Sequence, residues 1–384
     1  MQSVYLDHAA TTPVREEVFA AMVPYLTEKF GNPSSLHALG REARRDIEEA
    51  RGRIARELNA SPQEILFTSG GTEADNIAIF GAVAGSKKPG KHLVTSAIEH
   101  HGVLHPFQAL ESRGYRLTVL PVDKYGLVDP GELEKVLSPE TILVSIMQAN
   151  NEVGTIQPIQ ELATLTRAAG ALFHTDAVQS LGILPIDLQE LPVDLLSASG
   201  HKLYGPKGIG FLYRRKGTKL GPTAFGGAQE NSLRPGTENV AGIIGLARAV
   251  ELAVAEQAET SKRLIYLRDK LIAGLTALPQ VTLNGHPRLR LPGNVNVSVS
   301  RVEGESLILR LDLKGIAVSS GSACTSGALD PSHVLLAMGL NHQAAHGSLR
   351  LTLGRSTTEA DIDYVLQVAP GIIEGLRQMS PIVD

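Results

Sequence analysis

The stretch "SSGSACTSG", Ser319 to Gly327, holds Cys324, the one cysteine in a chain of 384 residues. A structural cysteine usually sits as a small apolar residue within an apolar run. Here the neighbours are glycine, serine and threonine, which read as an exposed, mobile loop. Such a setting is not one that a packing role calls for. A second group lies in "SASGHKLYGPKGIG", where Ser199, His201 and Lys202 end a strand-like run ahead of a turn rich in glycine and proline. A lone lysine is normally a solvated surface charge. One held at a strand end is a candidate nucleophilic amine.

Other motifs supply partners for that amine. "FHTDAVQS" ends a strand with Asp176, and Gln179 follows one helical turn later, where both side chains can face the same ligand. "TSGGTEADN", Thr68 to Asn76, follows the strand-like "EILF" and opens a helix. Its glycines permit a tight turn, Thr72 can cap, and the opening N–H groups form an anion site suited to phosphate. No lysine follows the glycines and the G-x-G-x-x-G order is missing, so it is neither a nucleotide P-loop nor a dinucleotide fingerprint. An amine, an acid and a phosphate cradle are together the parts that pyridoxal phosphate needs. The amine condenses with the aldehyde, the aspartate pairs with the pyridinium nitrogen, and the N–H groups hold the phosphate. "AIEHHGVLH" adds His100, His101 and His105. His101 and His105 have the spacing of metal ligands on a helix, but no H-E-x-x-H pattern or further cysteine completes a site, and no metal is expected. His100, at the end of a strand-like run, is placed to stack on a cofactor ring and move protons.

These residues must be held by a scaffold. "EILFTS", "KHLVTS", "RLTVLPV", "TILVSIM", "ALFHTDA", "VDLLSAS" and "GIGFLYRR" are β-rich runs, most of them separated by amphipathic or alanine-rich segments. That alternation predicts a largely parallel sheet wrapped by helices. In open parallel sheets ligands bind beyond the carboxyl ends of the strands, where Asp176 and Lys202 fall. From Val240 to Leu278 the pattern predicts one or two helices interrupted near Thr260. Beyond Gln280 come "NVNVSVS", a helix over "GESLILRLDL", the cysteine loop, "SLRLTLG" and a closing helix from near Thr358. They read as a smaller α+β domain against which the opening "YLDHAATTP" packs.

Composition bounds the function. Hydrophobic residues at 43%, charged residues at 20% and a net charge of −4 describe a globular protein and argue against a nucleic-acid surface. One cysteine cannot form an internal disulfide, and the start "MQSVYLDHAATTP" has neither the basic nor the apolar region of a signal peptide. No apolar stretch is long enough to cross a bilayer, so cytoplasmic localisation is expected.

Read together and in order from residue 5 to 355, "YLDHAATTP", "FGNPSSLH", "TSGGTEADN", "EHHGV", "NNEVG", "HTDAVQS", "SGHKLYGPKGIG", "RPGTENV", "SSGSACTS" and "SLRLTLGR" closely resemble the NifS/IscS group of cysteine desulfurases. The resemblance implies an α/β, fold-type I, class V aminotransferase architecture. A large domain, 14–255, would carry a mostly parallel seven-stranded sheet, and residues 1–13 with 256–384 would form the small α+β domain bearing the cysteine loop, about 319–334. It implies that Lys202 carries pyridoxal 5′-phosphate, Asp176 pairs with the ring nitrogen, Gln179 bonds the ring hydroxyl and His100 stacks on the ring as acid and base. Gly71, Thr72, Ser199 and His201 would bind the phosphate, Thr237 would reach the phosphate of a neighbouring subunit in a homodimer, and Asn151 would touch cofactor and substrate. Arg350 would hold the carboxylate of L-cysteine by its planar fork. Arg355 competes for that role on residue type alone, and the motif match favours Arg350.

The resemblance also implies that Cys324 takes sulfur from L-cysteine as a persulfide, leaves L-alanine, and delivers the sulfur to an iron-sulfur scaffold or sulfur-carrier protein. Transient [2Fe–2S] delivery through Cys324 is a further role it allows. The long segment around Cys324 is similar to the long-loop branch, while the short ending "LRQMSPIVD" lacks the docking tail of several members. A transaminase or a selenocysteine lyase would share Lys202, Asp176 and the phosphate groups, and Cys324 is what separates them. A sulfur carrier with a dead cofactor site would be expected to have lost one of Lys202, Asp176, His100 and Cys324.

Overall fold

A computed structural model describes residues 3–320 and 331–379; Cys324 lies outside them. The strands in chain order are β1 (Val4–Tyr5), β2 (Ile65–Thr68), β3 (His92–Ser96), β4 (Arg116–Leu120), β5 (Thr141–Ser145) and β6 (Leu172–Asp176). They continue with β7 (Leu195–Ser199), β8 (Gly210–Arg214), β9 (Val281–Leu283), β10 (Asn294–Val299), β11 (Ile316–Ala317) and β12 (Ser348–Thr352).

Seven of them form one sheet in the order β2-β8-β7-β6-β5-β3-β4. β8 runs antiparallel to both neighbours and the other pairings are parallel, so the mostly parallel sheet is as expected. Period-two alternation sends successive side chains to opposite faces. Phe67, Val94, Val144 and Leu196 enter one apolar core, while their neighbours Leu66, Leu93, Leu143 and Leu195 enter the other. Burial on both faces explains why these strands read as continuous apolar runs.

A smaller three-stranded sheet, β12-β10-β9, and the two-stranded β1-β11 carry the rest. The opening segment does pack against this region: Val4 pairs with Ile316, and Ala9 N donates to Thr352 Oγ1 at 2.8 Å. Although "NVNVSVS" alternates, all six residues of β10 are buried. Part of its polar face is satisfied by a side-chain layer in which Asn284 Nδ2 donates to Asn296 Oδ1 and Ser298 Oγ, while Asn294 Oδ1 is buried without a partner.

The expected break near Thr260 is absent: a single helix runs from Val240 to Thr276. No proline occurs in that run, and its glycines lie only at the two ends, so nothing stops the hydrogen-bond ladder. The helix is capped by the Asn239 side chain, which accepts from Gly242 N at 3.0 Å. Its first turns (Ile243, Leu246, Val250) sit in the core of the large sheet, and Leu264, Leu267, Leu271 and Leu275 sit in a separate core with β10 and β12. One rigid rod of about 55 Å therefore spans both cores.

Candidate active site

The carboxyl ends of β2, β3, β5, β6 and β7 lie along one edge of the sheet, and a chemical residue follows each. After β2, Gly70 adopts φ 156°, ψ −175°, a region open essentially to glycine, and the helix Gly71–Gly85 begins with no side-chain cap. Its first N–H groups have no intrahelical acceptor, which leaves them for an anion. A Cβ on Gly71 would lie 2.6 Å from Val178 Cγ2 and 3.7 Å from Ser199 Cβ. Glycine at this position thus lets the turns after β2, β6 and β7 converge.

After β3, His100 caps the helix His101–Glu111, its Nδ1 accepting from Gly102 N at 2.9 Å. The neutral ring therefore carries its proton on Nε2. Burial, then the charge of Lys202, holds its pKa below the ordinary histidine range. A Cβ on Gly102 would lie 3.0 Å from both His100 Nδ1 and Asp75 Oδ2 and 3.5 Å from Thr72 Oγ1, so these three side chains meet around this glycine.

β6 delivers Asp176, buried, with Oδ1 accepting from Val178 N at 2.8 Å. Burial raises its pKa, while the Val178 N–H and Lys202 pull it down. Gln179 Nε2 donates to Ala9 O at 3.0 Å. β7 delivers Ser199, then His201, whose Nδ1 is 3.2 Å from Thr11 Oγ1 and whose pKa is pushed down to about 4, mainly by burial. Lys202 Nζ donates to the carbonyls of Ala9 and Ala10. The opening segment thus reaches the amine and Gln179 as well as the small sheet.

Arg350 enters from β12, 2% exposed, donating to Asn151 O and Asp7 Oδ1 at 3.0 Å each. Its buried Nε has no partner. Arg355 instead lies half exposed at the surface, 3.5 Å from Glu256. Thr237 is exposed, two residues before the cap Asn239. Ser319, at the start of the cysteine segment, bridges β12 through its backbone, with Arg350 N donating to Ser319 O at 2.8 Å. His101 and His105 stack at 4.6 Å, and among the described residues no cluster suited to a metal ion is present.

A buried acidic layer, which residue type and spacing do not mark, lies next to this edge. Asp75 is 1% exposed, its Oδ1 is 3.6 Å from His174 Nε2, and burial together with Asp176 raises its pKa well above normal. His174 bonds Ser145 Oγ at 2.7 Å and Ser197 Oγ at 2.9 Å, and burial holds it neutral with a pKa of about 3. Glu99, fully buried, accepts from Ser96 Oγ and from Met147 N at 3.0 Å, yet burial still pushes its pKa to about 8. Asp75, Glu99 and His174 all lie in or next to quoted motifs, but only their burial marks them.

Glu99 has a measurable consequence. Its folded pKa exceeds the ordinary 4.5, so the folded chain keeps a proton that the unfolded chain releases, and stability is lost as pH rises from 4.5 to 8. Glu99→Gln should make the decline between pH 5 and 8 shallower by about 1 kcal/mol per pH unit, read by urea unfolding of the apoprotein. Parallel profiles for the two proteins would refute it.

A family model for class-V aminotransferases matches residues 4–365. The cysteine desulfurase IscS of Methanosarcina thermophila is 55% identical over 381 residues, covering 99% of this chain and 94% of that protein. The chain belongs to the cysteine desulfurases of the class-V aminotransferase family. The IscS of Dictyoglomus turgidum is also 55% identical to this desulfurase, over 99% of the chain and 97% of that protein. A solved NifS-like protein superposes on it with a TM-score of 0.92 at 40% identity, covering 98% of this chain and all of that one.

Desulfurases of this family use pyridoxal 5′-phosphate, and the residues present fit it. A buried aspartate whose ionisation burial disfavours is relieved by a cationic ring nitrogen, the uncapped helix start offers N–H donors to a phosphate, and Lys202 offers the amine.

Proposed function

We propose that this desulfurase converts L-cysteine to L-alanine through Lys202, Asp176, His100, Arg350 and Cys324, and passes the sulfur to an iron-sulfur scaffold or sulfur-carrier protein. The observation that carries the residue assignment is Arg350: a buried guanidinium beside Asn151 at the site edge, on a strand whose backbone is paired with Ser319, five residues before Cys324. Bound pyridoxal phosphate supplies the electron sink that lets bonds at the substrate's α- and β-carbons break. Lys202 Nζ moves the α-proton, Asp176 keeps the ring nitrogen cationic, and His100 offers the Nε2 proton. Thr72, Ser199, His201 and the Gly71 amide would hold the phosphate, and Gln179 would bond the ring hydroxyl. The Arg350 fork orients the substrate carboxylate. The Cys324 thiolate then attacks the substrate sulfur: the S–S bond forms, the Cβ–S bond breaks, its electron pair stays on carbon, and protonation there gives alanine.

A division at about residue 255 is consistent with the two separate apolar cores. A homodimer, with Thr237 reaching the partner's phosphate, is supported by the exposed Phe19, Leu26, Phe30, Leu36 and Phe225, of which Leu36 is 89% exposed. No helix of the described residues is long and apolar enough to cross a membrane; cytoplasmic localisation is part of the proposal. Intact mass after mixing with L-cysteine and no reductant, followed by peptide mapping, tests the reading. One extra sulfur on Cys324, missing in Cys324→Ala, is expected. An unmodified Cys324 in cofactor-loaded protein would overturn it and point to amino-group transfer or selenocysteine cleavage.

A further inference from the structure

Both ends of the segment that carries Cys324 are fastened to the neighbourhood of Arg350. At the first end, Ser319 and Arg350 exchange backbone hydrogen bonds, 3.2 Å and 2.8 Å. At the second, Ser332 Oγ donates to Glu152 Oε2 and accepts from Leu335 N at 3.3 Å, which caps the short helix His333–Ala337. Glu152 follows Asn151 directly and is tied on every side. Its N–H donates to Asn150 Oδ1 at 2.9 Å, and its carbonyl accepts from Asn294 Nδ2 and Asn296 Nδ2 at 3.1 Å each. Asn296 lies opposite Arg350 in the β10–β12 ladder, which closes the circuit. Glu152 and Ser332 are 4% and 3% exposed, so their contact is shielded from water, and Val334 and Leu335 pack on Val153 and Met147 in one small core.

We propose that Glu152 is a positioning residue for sulfur transfer: through Ser332 it places the second anchor of the cysteine segment against the Asn151–Arg350 pair. This rests on the desulfurase reading of Arg350 and Cys324. Burial raises its pKa to about 7 even though the Ser332 hydroxyl and the charge of Arg350 pull it down, so the two contacts offset only part of the cost of burying a carboxyl here. The role separates two steps that Arg350 joins. Binding of L-cysteine uses the guanidinium, whereas transfer also needs the thiol within bonding distance of the substrate sulfur, and a misplacement of about 1 Å costs up to about a hundredfold.

The test is made on the holoenzyme. L-cysteine affinity is read from the absorbance change of the bound cofactor, and the rate of sulfur gain on Cys324 from quenched samples by mass. Ser332→Ala and Glu152→Ala should slow sulfur gain by about ten- to a hundredfold with affinity within about twofold of the parent enzyme. The double variant should be no slower than Glu152→Ala, because the two side chains act as one unit. Glu152→Gln keeps an acceptor for the hydroxyl and should recover most of the rate. Unchanged transfer in Ser332→Ala, losses that multiply in the double variant, or affinity falling in step with transfer would overturn the proposal. If Glu152→Ala does not load cofactor, Ser332→Ala decides alone. Failure of the parent enzyme to place sulfur on Cys324 would instead sink the desulfurase reading.

Discussion

Lys202→Ala is expected to lower turnover of L-cysteine by at least about 10⁴-fold, because it removes both the covalent anchor of the cofactor and the base at the α-carbon. The geometry gives no substitute. Lys202 follows β7 in a tight turn, its Nζ held by the carbonyls of Ala9 and Ala10. Its charge reaches His100, His201 and Asp176, lowering the pKa of each. Lys207, the nearest lysine in sequence, donates to Thr12 O at 3.5 Å instead. Lys202→Arg should fail equally, since a guanidinium keeps the charge but does not condense with an aldehyde. The lysine-linked absorbance of the bound cofactor should vanish in both variants. Residual turnover near the parent level would remove Lys202 from the mechanism.

The second large effect is expected at Asp176. Asp176→Asn should lower kcat by about 10²- to 10³-fold, the loss typical of removing one preorganised charge from a buried site. The neutral amide cannot keep the ring nitrogen cationic, so the electron sink weakens. The same substitution should stabilise the apoprotein at alkaline pH. Burial raises the Asp176 pKa in the folded chain, so its contribution to stability is present at low pH and is lost as pH rises above the ordinary value of 3.8. Asparagine has no such titration, and the variant's stability profile should be flatter between pH 3.8 and about 6. Loading with cofactor should abolish the advantage, because a cationic ring nitrogen repays the buried charge. Comparing apo and holo unfolding curves for both proteins checks the sign. An asparagine variant with full kcat would refute the assignment.

Much of this edge was legible because each chemical residue follows a strand-like run. Asp176, Lys202, Gly71 and His100 come directly after, or within a few residues of, apolar stretches, and a parallel sheet gathers such positions by construction. What escaped was whatever depends on burial rather than spacing. Asp75 and Glu99 look like solvated acids in "TEADN" and "AIEHH", yet both are sealed behind the sheet. Glu152 reads as a surface residue of "NNEVG" until Ser332 is brought to it from 180 positions away. The helix Val240–Thr276 shows the converse error: Thr260 and Ser261 weaken helix propensity locally, but Ser261 Oγ donates to Ile183 O at 3.0 Å and the ladder continues.

By itself, then, the amino-acid sequence determined the mostly parallel sheet and the order in which Gly71, His100, Asp176 and Lys202 follow its strands, because period-two burial and turn chemistry are local properties. The motif match already favoured Arg350 over Arg355; only the tertiary structure buried Arg350 at the site edge, left Arg355 half exposed, and brought Asp7, Asn151 and Ser319 to Arg350. The contacts with Asp7 and Asn151 join residues 343 and 199 positions apart, and the cost of burying charge, which selects such partners, exists only once the chain has folded around them.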